Sequence, residues 1–220
     1  MLTKLDHALS SEHLQEALYA IFYPGFEEVL NEPTGTFFYD PWKLKDQYQG
    51  TIWQTVLESL PHDIGEAKIR KLDSGQAYIC HADIDDRYHL NISGDHSYLV
   101  DLDREILHPT LADGVWYSMD AGWKHSAVNF GNRVRFQLVV RQLLKQNILA
   151  DPETVTIVPV IADHNEARYI FDSIISPWLN MANKNKWINN FSYSDIIKFD
   201  IDKKHLTEIK NILPTEFKLL

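Results

Sequence analysis

The segment that decides the fold of this chain runs from His81 to Arg135. It opens on CHAD over 80–83 and closes on HSAVNFGNRVR over 125–135. Side chains two positions apart on an extended strand point to the same side, so His81 and Asp83 can supply two ligands from one short segment. His125 would come from a later strand that the fold brings back. Two histidines and one carboxylate are the ligand set that holds Fe(II) on one face and leaves three positions open.

Short strands are predicted on both sides of this segment. From residue 67 onward apolar residues recur at every second position, and turn residues such as those over 73–75 and 94–95 separate the runs. The predicted strands cover 67–72, 77–81, 87–93, 97–102, 114–119, 126–130 and 134–141. Short strands in such a series, with turns and no helices between them, indicate an antiparallel sandwich or barrel.

The last of these strands, 134–141, separates an apolar face from a polar one. Val134, Phe136, Leu138 and Val140 share the first face, and Arg133, Arg135, Gln137 and Val139 share the second. An arginine that points into a barrel needs a counter-charge. A bound dicarboxylate would provide one for Arg135 through a fork of hydrogen bonds. The alternative is that Arg135 pairs with a carboxylate on the surface of this acidic protein.

The ordered set of His81, Asp83, His125 and Arg135 resembles a known family of enzymes. It is similar to the Fe(II)/2-oxoglutarate-dependent oxygenases, and within them to the aspartyl/asparaginyl β-hydroxylase group that includes the cis-proline hydroxylases. Two further stretches carry the resemblance, RYH over 87–89 and GVWYSMD over 114–120, the second leading to HSAVN over 125–129. The similarity spans about residues 68–141. The gap between His81 and Arg87 is shorter than is typical of the family.

The resemblance implies a double-stranded β-helix, mainly β with flanking helices, that carries a metal in the mouth of its jelly roll. It implies that the catalytic iron is bound by His81, Asp83 and His125. It further implies that Arg135 binds the far carboxylate of the cosubstrate 2-oxoglutarate, while two more residues contact the cosubstrate near the metal, namely Arg87 and His89.

The reaction that the resemblance implies is hydroxylation with O2. The expected target is an unactivated C–H bond of an amino acid, or of an aspartyl, asparaginyl or prolyl residue in a peptide. Related halogenases replace the metal-binding carboxylate by a small residue so that halide can bind. The carboxylate of Asp83 therefore points to hydroxylation.

Other assignments stay open from the residues alone. Asp85 lies at the same even spacing as Asp83 and is a rival ligand, and Arg133 is the rival of Arg135. Possible substitutes for His125 are His62, His96 and His108. A cupin-type metal dioxygenase would use the same ligand set without 2-oxoglutarate. A non-catalytic jelly-roll binding module is the third class.

Three regions are predicted along the chain. Residues 1–66 are expected to form helical padding, with helices after the Ser10 cap and over 51–60. The catalytic core is expected over 67–145. Residues 146–220 are expected to form a mostly helical extension packed on the core, with a strand over 155–161 and helices over 167–179, 195–197 and 206–212. This extension is expected to shape substrate choice or dimerisation rather than the iron site.

Composition limits the partners of the protein. Its 220 residues and 45% hydrophobic content suit one domain with a sizeable core. A formal net charge of -10 disfavours binding to nucleic acid and to anionic membranes. The single cysteine excludes an intrachain disulfide, and residues 1–7 lack the apolar core of a signal peptide. We expect a cytoplasmic enzyme that acts on a small-molecule or peptide substrate and can form a homodimer.

Overall fold

Strands dominate the chain and helices flank them. The computed structural model describes residues 2–194 and 196–220. Its strands, in chain order, are β1 (Leu2–Ala8), β2 (Asn31–Pro33), β3 (Trp42–Leu44), β4 (Ile64–Leu72), β5 (Arg87–Ser93), β6 (Ser97–Asp101), β7 (Ile106–Pro109), β8 (Val115–Met119), β9 (His125–Asn129), β10 (Arg135–Gln142), β11 (Pro152–Pro159), β12 (Ile188–Tyr193), β13 (Ile197–Asp202) and β14 (Phe217–Leu219). Its α-helices are α1 (Ser11–Ala20), α2 (Ile52–Glu58), α3 (His164–Ile170), α4 (Ser176–Lys184) and α5 (Leu206–Ile212), and a π-helical turn (Phe171–Ile175) joins α3 to α4. None of the helices over 2–194 and 196–220 is long and apolar enough to cross a membrane.

Two antiparallel sheets build the core. The larger sheet has the order β1-β8-β5-β10-β4, and the smaller has the order β7-β6-β9. Residues 77–81 extend the smaller sheet beyond β9 through single bridges from Ala77 to Val128 and from His81 to His125. The chain passes from β4 to 77–81, returns to β5, crosses to β6 and β7, and then alternates through β8, β9 and β10. This winding is a double-stranded β-helix, so the predicted fold class is confirmed.

The core strands lie where the recurrence of apolar residues at every second position predicted them, with three differences. The strand predicted over 87–93 coincides with β5. Residues 77–81, predicted as a strand, pair through single bridges. Neither β1 nor β7 was predicted. Strand β7 lies at a sheet edge and ends in Pro109, and a proline lowers the strand signal although edge strands tolerate it.

Helices α1 and α2 cover one face of the larger sheet. Each begins at a capping side chain, since Ser10 accepts a hydrogen bond from the His13 N–H and Thr51 accepts one from the Trp53 N–H. Apolar side chains of both helices, including Trp53, form one hydrophobic cluster with the sheet residue Leu138. The apolar face of β10 therefore points toward the helices, which leaves its other face for the interior of the barrel.

The extension carries a sheet of its own, in the order β12-β13-β11-β14. The helix predicted over 195–197 is wrong where the structure describes it, because Ile197, Phe199 and Ile201 are buried at every second position of β13. That spacing is the period of a strand. Asp195 lies outside the described residues. The helix over 206–212 is confirmed as α5, and the helix over 167–179 is divided among α3, the π-helical turn and α4.

Replacing Leu138 by alanine will lower the free energy of unfolding by about 2–5 kcal/mol. The Leu138 side chain is fully buried between the larger sheet and the helices, so its removal leaves a cavity. Urea unfolding followed by circular dichroism measures the loss. Ile148→Ala is the control, because Ile148 is 99% exposed and its truncation should change stability by less than about 0.5 kcal/mol. Equal stability of the two variants would contradict the core described above.

Candidate metal centre

Three side chains of the core converge on one point. His81, Asp83 and His125 place their ligand atoms within 4.8 Å of one another, and they form the single such group among the described residues. Oδ2 of Asp83 lies 3.7 Å from Nε2 of His125 and 4.0 Å from Nε2 of His81. A metal ion binds nitrogen or oxygen at about 2.0–2.2 Å, so two ligand atoms of one ion lie at most about 4.4 Å apart. Both separations from Asp83 fall within this limit, and small side-chain shifts would bring the whole group within it. The trio therefore fits a metal ion.

The backbone holds the three residues in place. His81 and His125 face each other as an antiparallel pair, with N–H···O distances of 3.0 Å and 2.8 Å in the two directions. The Asp83 N–H donates to the carbonyl of Ala121 at 2.8 Å. One short segment thus supplies two ligands and β9 supplies the third, although 77–81 is irregular rather than a full strand.

Each ligand histidine is oriented by a carbonyl of its own segment. Nδ1 of His81 lies 2.8 Å from the oxygen of Ile79, and Nδ1 of His125 lies 2.8 Å from the oxygen of Trp123. A carbonyl oxygen only accepts, so Nδ1 carries the proton in both rings and Nε2 presents a lone pair toward Asp83. Burial lowers the pKa of His125, which favours the neutral, metal-binding ring.

Arg87 binds the carboxylate of Asp83 through two hydrogen bonds. Its Nε donates to Oδ2 of Asp83 at 3.1 Å and its Nη2 donates to Oδ1 at 2.8 Å, while its Nη1 donates to Asp85 at 2.9 Å. Burial alone would raise the pKa of Asp83, but the guanidinium outweighs it and holds that pKa well below its usual range. A two-point fork of this kind fixes the orientation of the carboxylate. These contacts use three of the five N–H donors of Arg87, and the contact with 2-oxoglutarate that the sequence predicted for it stays a prediction.

His89, the other residue predicted near the cosubstrate, lies deeper in the barrel. Its Nδ1 donates to Oε1 of Gln137 at 3.2 Å, and its Nε2 is buried without a hydrogen-bond partner among the described residues. Burial lowers the pKa of His89 to about 3, so the ring is neutral. Both His89 and Gln137 line the cavity described next, and their unused polar atoms can meet a polar ligand.

A cavity of about 640 Å³ opens beside the trio. The larger sheet contributes side chains of β4, β5 and β10 to its wall, and the smaller sheet contributes Leu99 and residues of β9. The extension supplies Asn165, Arg168, Tyr169 and Asp172. The extension therefore reaches the cavity, and none of its described residues joins the trio.

Arg135 lies inside the barrel on the face of β10 that also carries Gln137. Its side chain is 1% exposed, and its one hydrogen bond runs from Nε to Asn91 Oδ1 at 3.4 Å. Its Nη2 is buried without a partner, and among the described residues no carboxylate forms an ion pair with it. Burial lowers the pKa of Arg135 to about 10. A surface ion pair, the alternative for this residue, is thus absent from the described part of the chain.

The rival residues lie elsewhere. Asp85 is bound to Arg87 behind the trio, and Arg133 is exposed in the turn before β10. His96 is an exposed residue beside Asp95, with 72% of its side chain accessible. Of the substitutes for His125, none joins the ligand group.

Sequence reasoning missed Arg141, which lines the cavity near the trio. The signal for it was present, because Arg141 continues the alternation that places Arg135, Gln137 and Val139 on one face. It also missed Arg168 and Asp172, and no local pattern indicates that a helix of the extension would face the cavity.

Replacing Arg87 by glutamine will weaken Fe(II) binding by about 10- to 100-fold, the usual effect of removing a group that orients a metal ligand. The Asp83 carboxylate loses its fork and becomes free to rotate. Anaerobic competition with a metal-sensitive dye measures the affinity, and a thermal melt checks folding. Arg87→Lys should recover part of the affinity, since it keeps the charge without the fork.

The matched control for that variant is Lys203→Gln, which breaks an exposed ion pair with Asp151 in the extension and should leave iron binding unchanged. An Arg87→Gln protein that stays folded and binds iron as tightly as the wild type would show that Asp83 needs no such support.

Fold and site together define a double-stranded β-helix with a candidate metal centre of two histidines and one carboxylate. No protein-family model matches the chain, and no curated protein matches it. Among solved structures, a prolyl-4-hydroxylase from Pseudomonas putida is similar at 15% sequence identity, with a TM-score of 0.40. The match covers 64% of this chain and 90% of that one. The function is accordingly inferred from the site and its residues.

Proposed function

We propose that this protein is an Fe(II)/2-oxoglutarate-dependent hydroxylase of the aspartyl/asparaginyl β-hydroxylase type. The observation that carries the proposal is the pairing of two features in one barrel. The ligand trio of His81, Asp83 and His125 borders the cavity. The guanidinium of Arg135, which has no ionic partner among the described residues, is buried on the face of β10 that also lines this cavity. The first feature suits iron, and the second suits a carboxylate.

The donor set supports Fe(II) over other metals. Two imidazole nitrogens and one carboxylate oxygen on one side of an ion are typical of non-haem Fe(II) oxygenases. Iron and 2-oxoglutarate together supply an oxidant strong enough to hydroxylate an unactivated C–H bond. The proposed overall reaction consumes the substrate, O2 and 2-oxoglutarate, and releases the hydroxylated product, succinate and CO2. One oxygen atom of O2 enters the product and the other enters succinate.

Arg135 is the proposed site for the distal carboxylate of 2-oxoglutarate. A fully buried cation with an unused donor is costly unless a ligand completes it. A guanidinium matches a carboxylate with two parallel hydrogen bonds. Tyr78, whose ring lines the cavity, lies close enough to Arg135 for the two groups to influence each other's pKa.

We propose that the remaining polar residues orient the metal ligands and line the cavity. Arg87 holds Asp83 in one orientation, and the Gln137–His89 pair offers neutral hydrogen-bonding groups along the cavity wall. Helix α3 and the π-helical turn cover the rim, and the carbonyl of Asp172 accepts a hydrogen bond from the Ala82 N–H, between two ligand residues. This contact links the extension to the segment that carries two of the three ligands. The substrate is proposed to be an amino acid, or an aspartyl, asparaginyl or prolyl residue of a peptide.

The test is succinate formation from 2-oxoglutarate with Fe(II) and O2, measured with and without candidate substrates. Turnover that requires iron and is stimulated by a substrate supports the proposal. Tight metal binding without any consumption of 2-oxoglutarate would instead indicate a cupin-type enzyme. A purified chain that binds no divalent metal would leave only a non-catalytic jelly-roll module.

A further inference from the structure

Arg141 occupies the opposite end of β10 from Arg135. The two residues are six positions apart on one strand face, which corresponds to about 20 Å along an extended chain. Arg141 pairs across the sheet with Arg87, the residue that binds Asp83. Arg141 therefore lies on the metal side of the cavity, and one small dicarboxylate could not bind both ends of β10 at once.

The guanidinium of Arg141 is held in place but incompletely paired. The rings of Phe37 and Phe38 lie 4.9 Å and 5.1 Å from it. Its Nη1 is 3.4 Å from Oδ2 of Asp85, an oxygen that already accepts a hydrogen bond from Arg87 at 2.9 Å. That Nη1 is buried and has no hydrogen-bond partner among the described residues. Its Nε lies 4.0 Å from Oε2 of Glu66, a second carboxylate at longer range. The aromatic contacts restrict its motion, and 21% of the side chain stays accessible from the cavity.

The side chains that line the cavity carry a net positive charge, as Arg141 does. Among the described residues its lining includes five cationic side chains, Lys68, Arg70, Arg87, Arg141 and Arg168. The acidic side chains of the lining are fewer, namely Glu66, Asp83 and Asp172. This cationic excess stands in a chain whose formal net charge is -10. Asp85, which pairs with Arg87 and Arg141, offsets one of these charges and leaves an excess of one. A bound divalent metal would add two charges and 2-oxoglutarate would offset those two, so the excess of one remains for a second anion.

We propose that Arg141 binds a free carboxylate of the substrate, and that the substrate is a small carboxylic acid rather than a residue inside a peptide. The proposal rests on the function proposed above and narrows its substrate class. An internal asparaginyl or prolyl residue has no carboxylate to offer, and an internal aspartyl residue has only the one attached to the carbon that is hydroxylated. A free amino acid has a main-chain carboxylate besides. Arg141 is one strand away from the residue that orients the metal-binding carboxylate, so a carboxylate on Arg141 would keep the rest of a small substrate beside the trio.

The experiment measures binding before turnover. Wild-type protein is titrated calorimetrically with L-proline, L-leucine and L-glutamate, and with the C-amide of each. The titrations use both the metal-free chain and the chain loaded anaerobically with Fe(II) and 2-oxoglutarate. We expect at least one acid to bind and its amide to bind at least about thirtyfold more weakly, the effect of losing one partner of a buried charge pair. Equal binding of acid and amide, or no binding of any acid, would overturn the proposal.

Variants assign the effect to Arg141. Arg141→Gln should weaken acid binding by about thirtyfold or more and leave binding of the amide unchanged, and Arg141→Lys should restore part of it. Lys68→Gln removes a charge from the same cavity wall, but Lys68 is directed to Glu28 at 3.5 Å, so acid binding should persist. A loss in Lys68→Gln equal to that in Arg141→Gln would reduce the effect to general electrostatics and contradict a specific subsite.

Failure here differs from failure of the proposed function. Succinate formation without any added substrate reports on the iron and 2-oxoglutarate sites alone. If it persists while no acid binds, the small-acid assignment is wrong and the oxygenase proposal stands. If 2-oxoglutarate is never consumed while acids still bind in an Arg141-dependent manner, the oxygenase proposal is wrong and the anion subsite stands.

Discussion

Alanine at His81, at His125 or at Asp83 will abolish Fe(II) binding and all iron-dependent turnover. Each change leaves two of three protein ligands, and the expected loss of affinity exceeds the roughly hundredfold that outer-shell changes cause. The fold should persist in the histidine variants, since the two histidines are held by backbone pairing that does not involve their rings. Asp83→Ala leaves the buried Arg87 with Asp85 alone and should lower stability without unfolding the chain. Iron content after anaerobic loading and gel filtration measures the outcome.

The controls are chosen for residue type. His96→Ala removes an exposed histidine outside the trio and should keep full iron content. Asp85→Ala tests the rival carboxylate: we expect it to retain iron and to lose stability, because two guanidinium groups lose a partner. Iron lost in Asp85→Ala and kept in Asp83→Ala would mean that the carboxylate ligand is misassigned.

Arg135→Ala will raise the dissociation constant of 2-oxoglutarate by orders of magnitude at unchanged iron content. Truncating one partner of a buried charge pair costs about 2–5 kcal/mol. The ligand-free protein should not be destabilised, because the Arg135 guanidinium has no ionic partner among the described residues and its burial is itself unfavourable. Anaerobic calorimetry with 2-oxoglutarate gives the affinity, and urea unfolding gives the stability.

Two further variants make this result specific. Arg135→Lys keeps the charge but not the fork and should restore part of the affinity. Arg133→Ala changes the neighbouring exposed arginine and should leave the affinity unchanged. A cosubstrate defect in Arg133→Ala, with normal binding in Arg135→Ala, would be decisive against the proposed role of Arg135.

Local pattern was a good guide to most strands of the core, where apolar and polar residues alternate. In β10 the alternation of Phe136, Leu138 and Val140 with polar residues placed the apolar face against the helices. Local pattern failed in the extension, at the segment that begins β13. The helix was predicted over 195–197, of which only Ile197 lies in β13. The alternation of Ile197, Phe199 and Ile201 begins where that prediction ended, and the pairing of β13 with β11 and β12 establishes the strand.

The sequence by itself determined an antiparallel sandwich or barrel, because the period of two and the turn residues recur along the core. The double-stranded β-helix was what the family resemblance implied. Spacing alone left Asp85 open beside Asp83 and left other histidines open beside His125, and the family resemblance favoured the trio that the structure brings together. Only the tertiary structure decided the partners of the charged residues. Arg87 binds Asp83 and Asp85, Arg135 is left unpaired, and Arg141 faces the metal side of the cavity. The physical reason is that a guanidinium pairs with whatever carboxylate lies within a few ångströms. That distance is set by strand register, by the bulge between Val140 and Gln142, and by the packing of the extension on the rim, none of which is encoded in the neighbouring residues alone.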